Sequence, residues 1–431
     1  MYDPREEPMK VMLAYGKTGM EIDLPDRNVA GVLTMRGAEP LPHPAEALEG
    51  ALRHPLSCAP LARLAAGAET ACVVICDITR PVPNTVLLPP ILSTLEGSGI
   101  ARSGITILVA TGLHRPSTEE ELRAMVGEEI RGTYRILDHH ARVAEEQSHL
   151  GRTRRGTPVE IDRTYVEADL KITTGFIEPH LMAGFSGGRK LIAPGCAGEA
   201  TIKVLHSPMF LEDPRCSEGS IEGNPLHEEL LEIARMAGHD FMVNVSLDAS
   251  HAITGIFAGD PIGAHAAGIA HVRSSVCASV RRPVDIAVTT SAGYPLDLTY
   301  YQAVKGVTAA LPVVRKGGTL IVAAECAEGL GSPEFTAMAT RYPDVEAFMN
   351  EILSHPVTID QWQLEECAKA ARHADVILVS RRVHEEFPGK LFIRTAASVE
   401  EALEAGFRKH GPDASVAVIP NGPYTLVGVE G

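Results

Sequence analysis

Seven short runs of aliphatic and β-branched residues recur along this chain, and most are separated by segments of helical length. They are Val73–Ile75, Ile105–Ala110, Leu170–Thr174, Asp285–Thr289, Thr319–Ala323, Val376–Ser380 and Ser415–Ile419. Each is too short and too apolar for a helix and reads as a strand buried on both faces. Consecutive strands with helices between them pair in parallel, because a parallel pair needs a crossover that the helix supplies. The expected fold is therefore α/β, with two Rossmann-like domains of mainly parallel sheet. A chain of 431 residues exceeds one ordinary core, so two domains are the natural division. The boundary is expected near Ser274–Pro283, where a Ser/Val/Arg-rich stretch precedes a fresh strand. This gives an N-terminal domain over 1–275 and a C-terminal domain over 276–404. The last segment, 405–431, is expected to return to the first domain. With no low-complexity linker, the two are expected to share an active-site cleft. Residues 10–25 read as a hairpin around Gly16-Lys-Thr-Gly19.

The strands end in a shared way. Ile105–Ala110 runs into Thr111-Gly112-Leu-His114, and Leu170–Thr174 runs into Gly175-Phe-Ile. Asp285–Thr289 runs into Thr290-Ser291-Ala-Gly293, and Val73–Ile75 leads into Cys76-Asp77-Ile-Thr79-Arg80-Pro81. Ligands of open α/β sheets bind outside the carboxyl ends of strands, and the polar residues collect there. Asp77 and Arg80 read equally as a capped turn and as a two-pronged hold on a carboxylate or phosphate. His114 at such an edge is a candidate acid or base.

Residues 176–206 concentrate further chemistry. Glu178-Pro-His180 is followed by Gly184-Phe-Ser-Gly187-Gly188-Arg-Lys190, then Leu-Ile-Ala-Pro-Gly195, then His206. Glycines let backbone N–H groups converge on an anion, and Lys190 could then meet a phosphate or bind a cofactor covalently. The spacing argues against a nucleotide-triphosphate loop: Arg189 separates Gly188 from Lys190, and Leu191 stands where a magnesium-binding hydroxyl belongs. His114, His180 and His206 match no zinc spacing. The adjacent His139-His140 pair reads as structural.

In the second half, Tyr300-Tyr301-Gln302-Ala-Val-Lys305-Gly opens a helix. Tyr301 and Lys305 are four apart, and Gln302 and Lys305 three apart, so all can share a face. It is either a solvated helix start or a set of donors gripping an anion. Trp362, the single tryptophan, reads on its own as a packing residue.

The net charge of −16 argues against nucleic acid and against an anionic membrane surface as partners, since both need a basic face. No apolar run reaches membrane-spanning length, and the start lacks a signal-peptide pattern. The eight cysteines are scattered, with no Cys-x-x-Cys pair. Reduced thiols and a cytoplasmic location are expected.

Taken together, Asp77-Ile-Thr-Arg-Pro81, Ala110-Thr-Gly-Leu-His114-Arg, Glu178-Pro-His180, Gly184 to Gly195, His206 and Tyr301-Gln-Ala-Val-Lys-Gly306 resemble the nickel-dependent lactate racemase family of 2-hydroxyacid racemases and epimerases. The match spans most of the chain, and the joint order of the motifs makes it specific. The resemblance implies a nickel pincer nucleotide, a pyridinium mononucleotide with two thio-acid arms, tethered through Lys190. It implies His206 as the protein ligand to nickel, and His114 and His180 as the acid/base pair. It places Arg80, Gln302 and Lys305 on the substrate carboxylate, with Tyr301 close by in the substrate site. Asp77, Thr79, Arg80, Gly187, Gly188 and Trp362 would line the cofactor. It also implies cofactor-synthesis enzymes as maturation partners. The implied reaction inverts C2 of a small 2-hydroxyacid by hydride transfer through a transient 2-oxoacid. The competing readings are a phosphate-loop transferase or kinase, and a non-catalytic carrier of the cofactor.

Overall fold

A computed structural model describes residues 8–248 and 250–430. The chain divides into two compact units. The first comprises Gly37–His206 and Arg215–Ser275; the second comprises the chain up to Arg36, Ser207–Pro214, and the chain from Val276 onward.

The first unit is built on a six-stranded sheet in the order Ile253–Gly259, Phe241–Leu247, Leu170–Phe176, Ala71–Cys76, Ile105–Ala110, Arg135–Asp138. All neighbours are parallel except the pair Phe241–Leu247 and Ile253–Gly259. Ala71–Cys76 and Leu170–Phe176 lie side by side, yet the chain leaves the former toward Ile105–Ala110 and comes back to place the latter on its other side. The winding reverses there, which opens a crevice beyond the carboxyl ends of these two strands. On one face, helix Asn84–Gly97 sets Leu87, Leu88, Ile91, Leu92 and Leu95 against Val73, Ile75, Ile107, Val109 and Ile172. The three-and-four spacing of those leucines and isoleucines is what makes the segment a helix with one apolar face.

The second unit carries another six-stranded sheet, parallel throughout, in the order Arg394–Ala396, Asp375–Val379, Val314–Ala323, Val284–Thr290, Val416–Ile419, Val29–Val32. Alternate residues of each strand point to opposite faces. Ala287, Leu320, Val322 and Leu378 meet Tyr300, Ala303, Val304 and Val307 of helix Tyr300–Ala310. Ile286, Val288, Ile321 and Ile377 face Val399, Ala402 and Leu403 of helix Val399–His410, together with Val11, Leu13, Ile22 and Leu24. Those last four belong to the antiparallel hairpin Met9–Leu13 and Met20–Leu24. Gly306 lets the helix Tyr300–Ala310 approach its sheet closely: a Cβ there would lie 2.2 Å from the Thr290 carbonyl oxygen.

One expectation is corrected here. The last strand does not return to the first unit; Val416–Ile419 pairs with Val284–Thr290 and with Val29–Val32. The exchange runs the other way, with the chain up to Arg36 joining the C-terminal unit. The physical reason is edge closure. Val416–Ile419 is buried along its length, so it needs a strand on each side, and Val29–Val32 supplies the outer one.

Candidate functional site

The carboxyl edge of the first sheet gathers Asp77, Thr79, Arg80, His114, His180, Lys190 and His206 within one unit. Asp77 follows strand Ala71–Cys76, and His114 ends a turn after the neighbouring strand Ile105–Ala110. That turn is closed by donation from the His114 N–H to the Thr111 carbonyl at 2.9 Å. His114 Nδ1 lies 2.6 Å from Asp77 Oδ2. The other Asp77 oxygen accepts from the Thr79 hydroxyl at 2.6 Å and from the Thr79 N–H at 3.3 Å. Burial alone would raise the Asp77 carboxyl. The contacts with His114, Thr79 and Arg80 outweigh it and hold the group below the ordinary carboxylate range. An ionised Asp77 fixes the proton of neutral His114 on Nδ1 and leaves Nε2 as an acceptor. The simple cap in which Asp77 binds Arg80 is not formed: Arg80 donates instead to the Thr79 carbonyl and hydroxyl oxygens, at 3.2 and 3.1 Å.

His180 is held in the opposite sense. It sits in the short pairing of Pro179–His180 with Gly184–Phe185. Its Nδ1 accepts from the N–H groups of Met182 and Ala183, both at 3.2 Å. A nitrogen that accepts from two amides carries no proton, so neutral His180 keeps its proton on Nε2.

His206 caps the helix Glu199–Leu205. Its Nδ1–H donates to the Ile202 carbonyl at 2.8 Å, which leaves the lone pair of the neutral ring on Nε2, the tautomer that a second hydrogen bond sets in metal-binding imidazoles. Burial pushes this imidazole down to about 4, and the nearby Lys190 ammonium acts in the same direction. At neutral pH it is therefore an uncharged nitrogen donor. The Cys76 thiol is pushed up to about 12 by burial, and it feels the charges of Arg80, Asp77, Glu178 and Lys190. Lysine, histidine, carboxylate and arginine thus converge around one strand end.

The glycine-rich loop works differently from an anion cradle. The Phe185, Ser186, Gly188 and Lys190 N–H groups donate to Ala183 O, Glu178 O, Asn244 Oδ1 and Gly187 O at 2.8 to 3.1 Å. They are spent inside the loop and on its own unit. Gly187 has φ +79°, and a Cβ there would lie 2.5 Å from Asn244 Oδ1. Both Gly187 and Gly188 are buried; they let the loop pack and so present Lys190, and the Gly188 amide does not point to a ligand. Asn244 was not singled out in the sequence. Its signal is a lone amide in the apolar run Phe241–Leu247, where only a specific partner repays its burial. Arg189, which in sequence only interrupts the loop spacing, is 2% exposed. His139 is structural, as expected: its ring lies between Asp162 and the Ala197 carbonyl, each 2.9 Å away.

The remaining residues lie in the second unit. Tyr301, Gln302 and Lys305 occupy helix Tyr300–Ala310, whose N-terminus is capped by Thr299 accepting from the Gln302 N–H at 3.3 Å. The Ser291 hydroxyl, at the carboxyl end of Val284–Thr290, donates to the Gln302 carbonyl at 3.1 Å. Trp362 Nε1–H donates to the Tyr301 hydroxyl at 3.2 Å, which orients that phenol. Tyr301 also packs edge-on against Phe335, with ring centroids 5.0 Å apart. Gln302 Oε1 is buried without a hydrogen-bond partner, an acceptor left over for a ligand donor. Among the described residues, no cluster of three or more His, Cys, Asp or Glu side chains could hold a metal by itself. Among the described residues, no helix is long and apolar enough to cross a membrane.

Comparisons with known proteins bear on the family and the fold. Residues 15–219 match the lactate racemase N-terminal domain, and residues 280–427 match the lactate racemase C-terminal domain. The lactate racemase of Thermoanaerobacterium thermosaccharolyticum is 35% identical over 422 residues, covering 97% of this chain and 99% of that protein. That of Lactiplantibacillus plantarum is 37% identical, covering 96% and 99%. The structure of the T. thermosaccharolyticum lactate racemase apoprotein superposes with a TM-score of 0.92 at 34% identity, covering 97% of this chain and 100% of that one. A Thermotoga maritima protein shares the fold, with a TM-score of 0.65 at 17% identity, covering 90% and 98%.

Proposed function

This chain belongs to the lactate racemase family, and we propose that it interconverts the enantiomers of a small 2-hydroxyacid, lactate being the first to test, with a nickel pincer nucleotide held on Lys190. The carrying observation is the pairing of Lys190 with a neutral His206 whose Nδ1–H is tied to Ile202 and whose Nε2 is a lone-pair donor. A tethering amine beside a single soft-metal ligand suits a cofactor that brings most of its own metal donors, and the lack of a three-ligand protein cluster among the described residues fits the same picture.

The substrate explains why a cofactor is needed. The hydrogen on C2 of a 2-hydroxyacid is very weakly acidic, and an imidazole with a pKa of about 6.5 does not remove it as a proton. When bound, the pincer nucleotide supplies a place for that hydrogen to go as hydride and to return from. The side chains handle the remaining proton and the orientation. His114 accepts the hydroxyl proton at Nε2, and Asp77 stabilises the imidazolium that results. His180 acts as the acid from the other side once it has taken up a solvent proton as imidazolium; it passes the Nε2 proton to the substrate oxygen and is left neutral with its proton on Nδ1, while His114 gives its own proton back to solvent. For the opposite enantiomer the two exchange roles, with His180 accepting the hydroxyl proton at Nε2 from the tautomer protonated on Nδ1. Arg80, Gln302, Lys305 and Tyr301 hold the carboxylate and hydroxyl so that C2 alone is free to invert.

The test is direct. Protein produced alongside the cofactor-synthesis enzymes should carry added mass on the Lys190 peptide, bind nickel, and convert either pure lactate enantiomer into an equal mixture. Full loading with no inversion of lactate or of any longer 2-hydroxyacid would refute a racemase and leave the carrier reading.

A further inference from the structure

Arg189 is a buried charge in the first unit. It is 2% exposed, and among the described residues no carboxylate pairs with it. Burial pushes the guanidinium down to about 9, so it remains charged at neutral pH. Its Nη2–H donates to the Ala183 carbonyl at 2.9 Å, and Nη1 reaches the Gly187 carbonyl at 3.4 Å. Nη1 is also 3.1 Å from His265 Nε2. His265 Nε2 lies 2.7 Å from the Ser186 carbonyl as well, and one nitrogen serves one of these partners at a time. Arg189 Nε has no acceptor. Burying an unpaired charge among partly satisfied groups is costly, so a purely structural element would more cheaply be apolar.

The partners show what the charge achieves. Ala183 is bonded through both of its backbone polar groups: its carbonyl accepts from Arg189, and its N–H donates to His180 Nδ1. Gly187 precedes the turn Gly188–Leu191 that carries Lys190. In such a turn, with about three residues per revolution, fixing the direction of one side chain fixes that of the next. The planar fork of a guanidinium can hold two carbonyls in a set relation, which an ammonium cannot.

We propose that Arg189 is a positioning residue which couples the acid/base histidine to the tethering lysine: from inside the core it clamps the turn that sets the His180 proton and, at the same time, aims Lys190. The roles of His180 and Lys190 rest on the racemase reading. The coupling itself is a property of the apoprotein and can be measured without cofactor.

The experiment is ¹⁵N NMR of the histidine-labelled apoprotein, comparing wild type with Arg189→Lys and Arg189→Met. In wild type, His180 Nδ1 should show the shift of an unprotonated nitrogen, while His114 Nδ1, bonded to Asp77, should show that of a protonated one. Both variants should lose the fixed His180 pattern and leave His114 unchanged. The rate at which the Lys190 peptide gains cofactor mass, per folded molecule, should fall at least tenfold in both. A protonated Nδ1 on wild-type His180 would overturn the proposal even if neither variant folds. So would an unchanged His180 pattern in either folded variant. Full rescue by Arg189→Lys would overturn the requirement for the fork. Racemisation with no coupling defeats this inference alone, whereas coupling without racemisation defeats the functional reading alone.

Discussion

Replacing Asp77 with Asn isolates the group that prepares His114. The carboxylate is buried and 2.6 Å from His114 Nδ1, so the change keeps shape and removes charge. Two unit charges about 4 Å apart attract by ~1 kcal/mol in water and ~4 kcal/mol at an effective dielectric of about 20. The His114 side chain is 56% exposed, which places the pair near the lower end, at about 1–2 kcal/mol. That is roughly a 5- to 30-fold loss in rate if the imidazolium forms in the transition state. An amide can also donate to Nδ1, which would move the His114 proton to Nε2 and remove the acceptor. The full contribution of a general base, about 10²–10⁴-fold, bounds the effect from above. The expected result for Asp77→Asn is a fall in kcat of about 10- to 100-fold. The assay follows the appearance of one lactate enantiomer from the other by chiral chromatography, at equal cofactor mass on the Lys190 peptide. Enantiomers have equal free energy, so kcat/KM must fall equally from both sides. A variant within twofold of wild type at equal loading would refute the role given to the Asp77–His114 pair.

Other consequences can be checked separately. Lys190→Ala should abolish the added peptide mass, and His206→Ala should lower nickel content while far-UV circular dichroism and Tm stay near wild type; unchanged nickel stoichiometry would contradict the ligand assignment. Glu365 is pushed up to about 8 by burial, with Glu212 and Glu366 adding to the effect. A carboxyl raised in the folded state favours folding below its unfolded value and loses that contribution as pH rises through the folded one. Glu365→Gln should therefore raise the denaturation midpoint at pH 8 and have little effect below about pH 4, and an equal gain at both pH values would contradict this. Asp285 shows the opposite sign. Burial works to raise it, but Ser415 and Arg315 outweigh that and bring it down to about 2. Its stabilisation, about 2 kcal/mol above the unfolded carboxylate range, should fade as pH drops from about 4 toward 2. Asp285→Asn should thus cost most in urea unfolding near pH 6 and least near pH 3.

Much of this architecture is legible in the residues, and what is hidden has physical causes. The central strands announce themselves because both faces are buried, which produces continuous apolar runs such as Ile105–Ala110. Arg135–Asp138 and Val29–Val32 are edge strands of four residues each, with one side open and no such run. The move of Val29–Val32 to the far unit is invisible for the same reason, since nothing so short records which sheet it borders. Asp77 and His114 are separated by 37 residues. Spacing does not pair them; only the parallel alignment of their two strands does. Spacing alone suggests that the loop glycines open toward an anion, whereas Gly184 and Gly187 permit close packing against Ser220 and Asn244. Arg189 escaped notice because a charged residue beside a lysine resembles a solvated pair until its burial is known.

The central claim is that C2 inverts with its hydrogen kept and only the hydroxyl proton passing through His114 and His180. The measurement is to incubate one pure lactate enantiomer with cofactor-loaded protein in deuterated water, and to examine C2 of the opposite enantiomer by mass spectrometry and NMR. Exchange through free 2-oxoacid is controlled by adding unlabelled pyruvate as a trap. The predicted product is the inverted enantiomer carrying its original hydrogen at C2. Extensive solvent deuterium at that carbon, in product formed without release of oxoacid, would contradict the account.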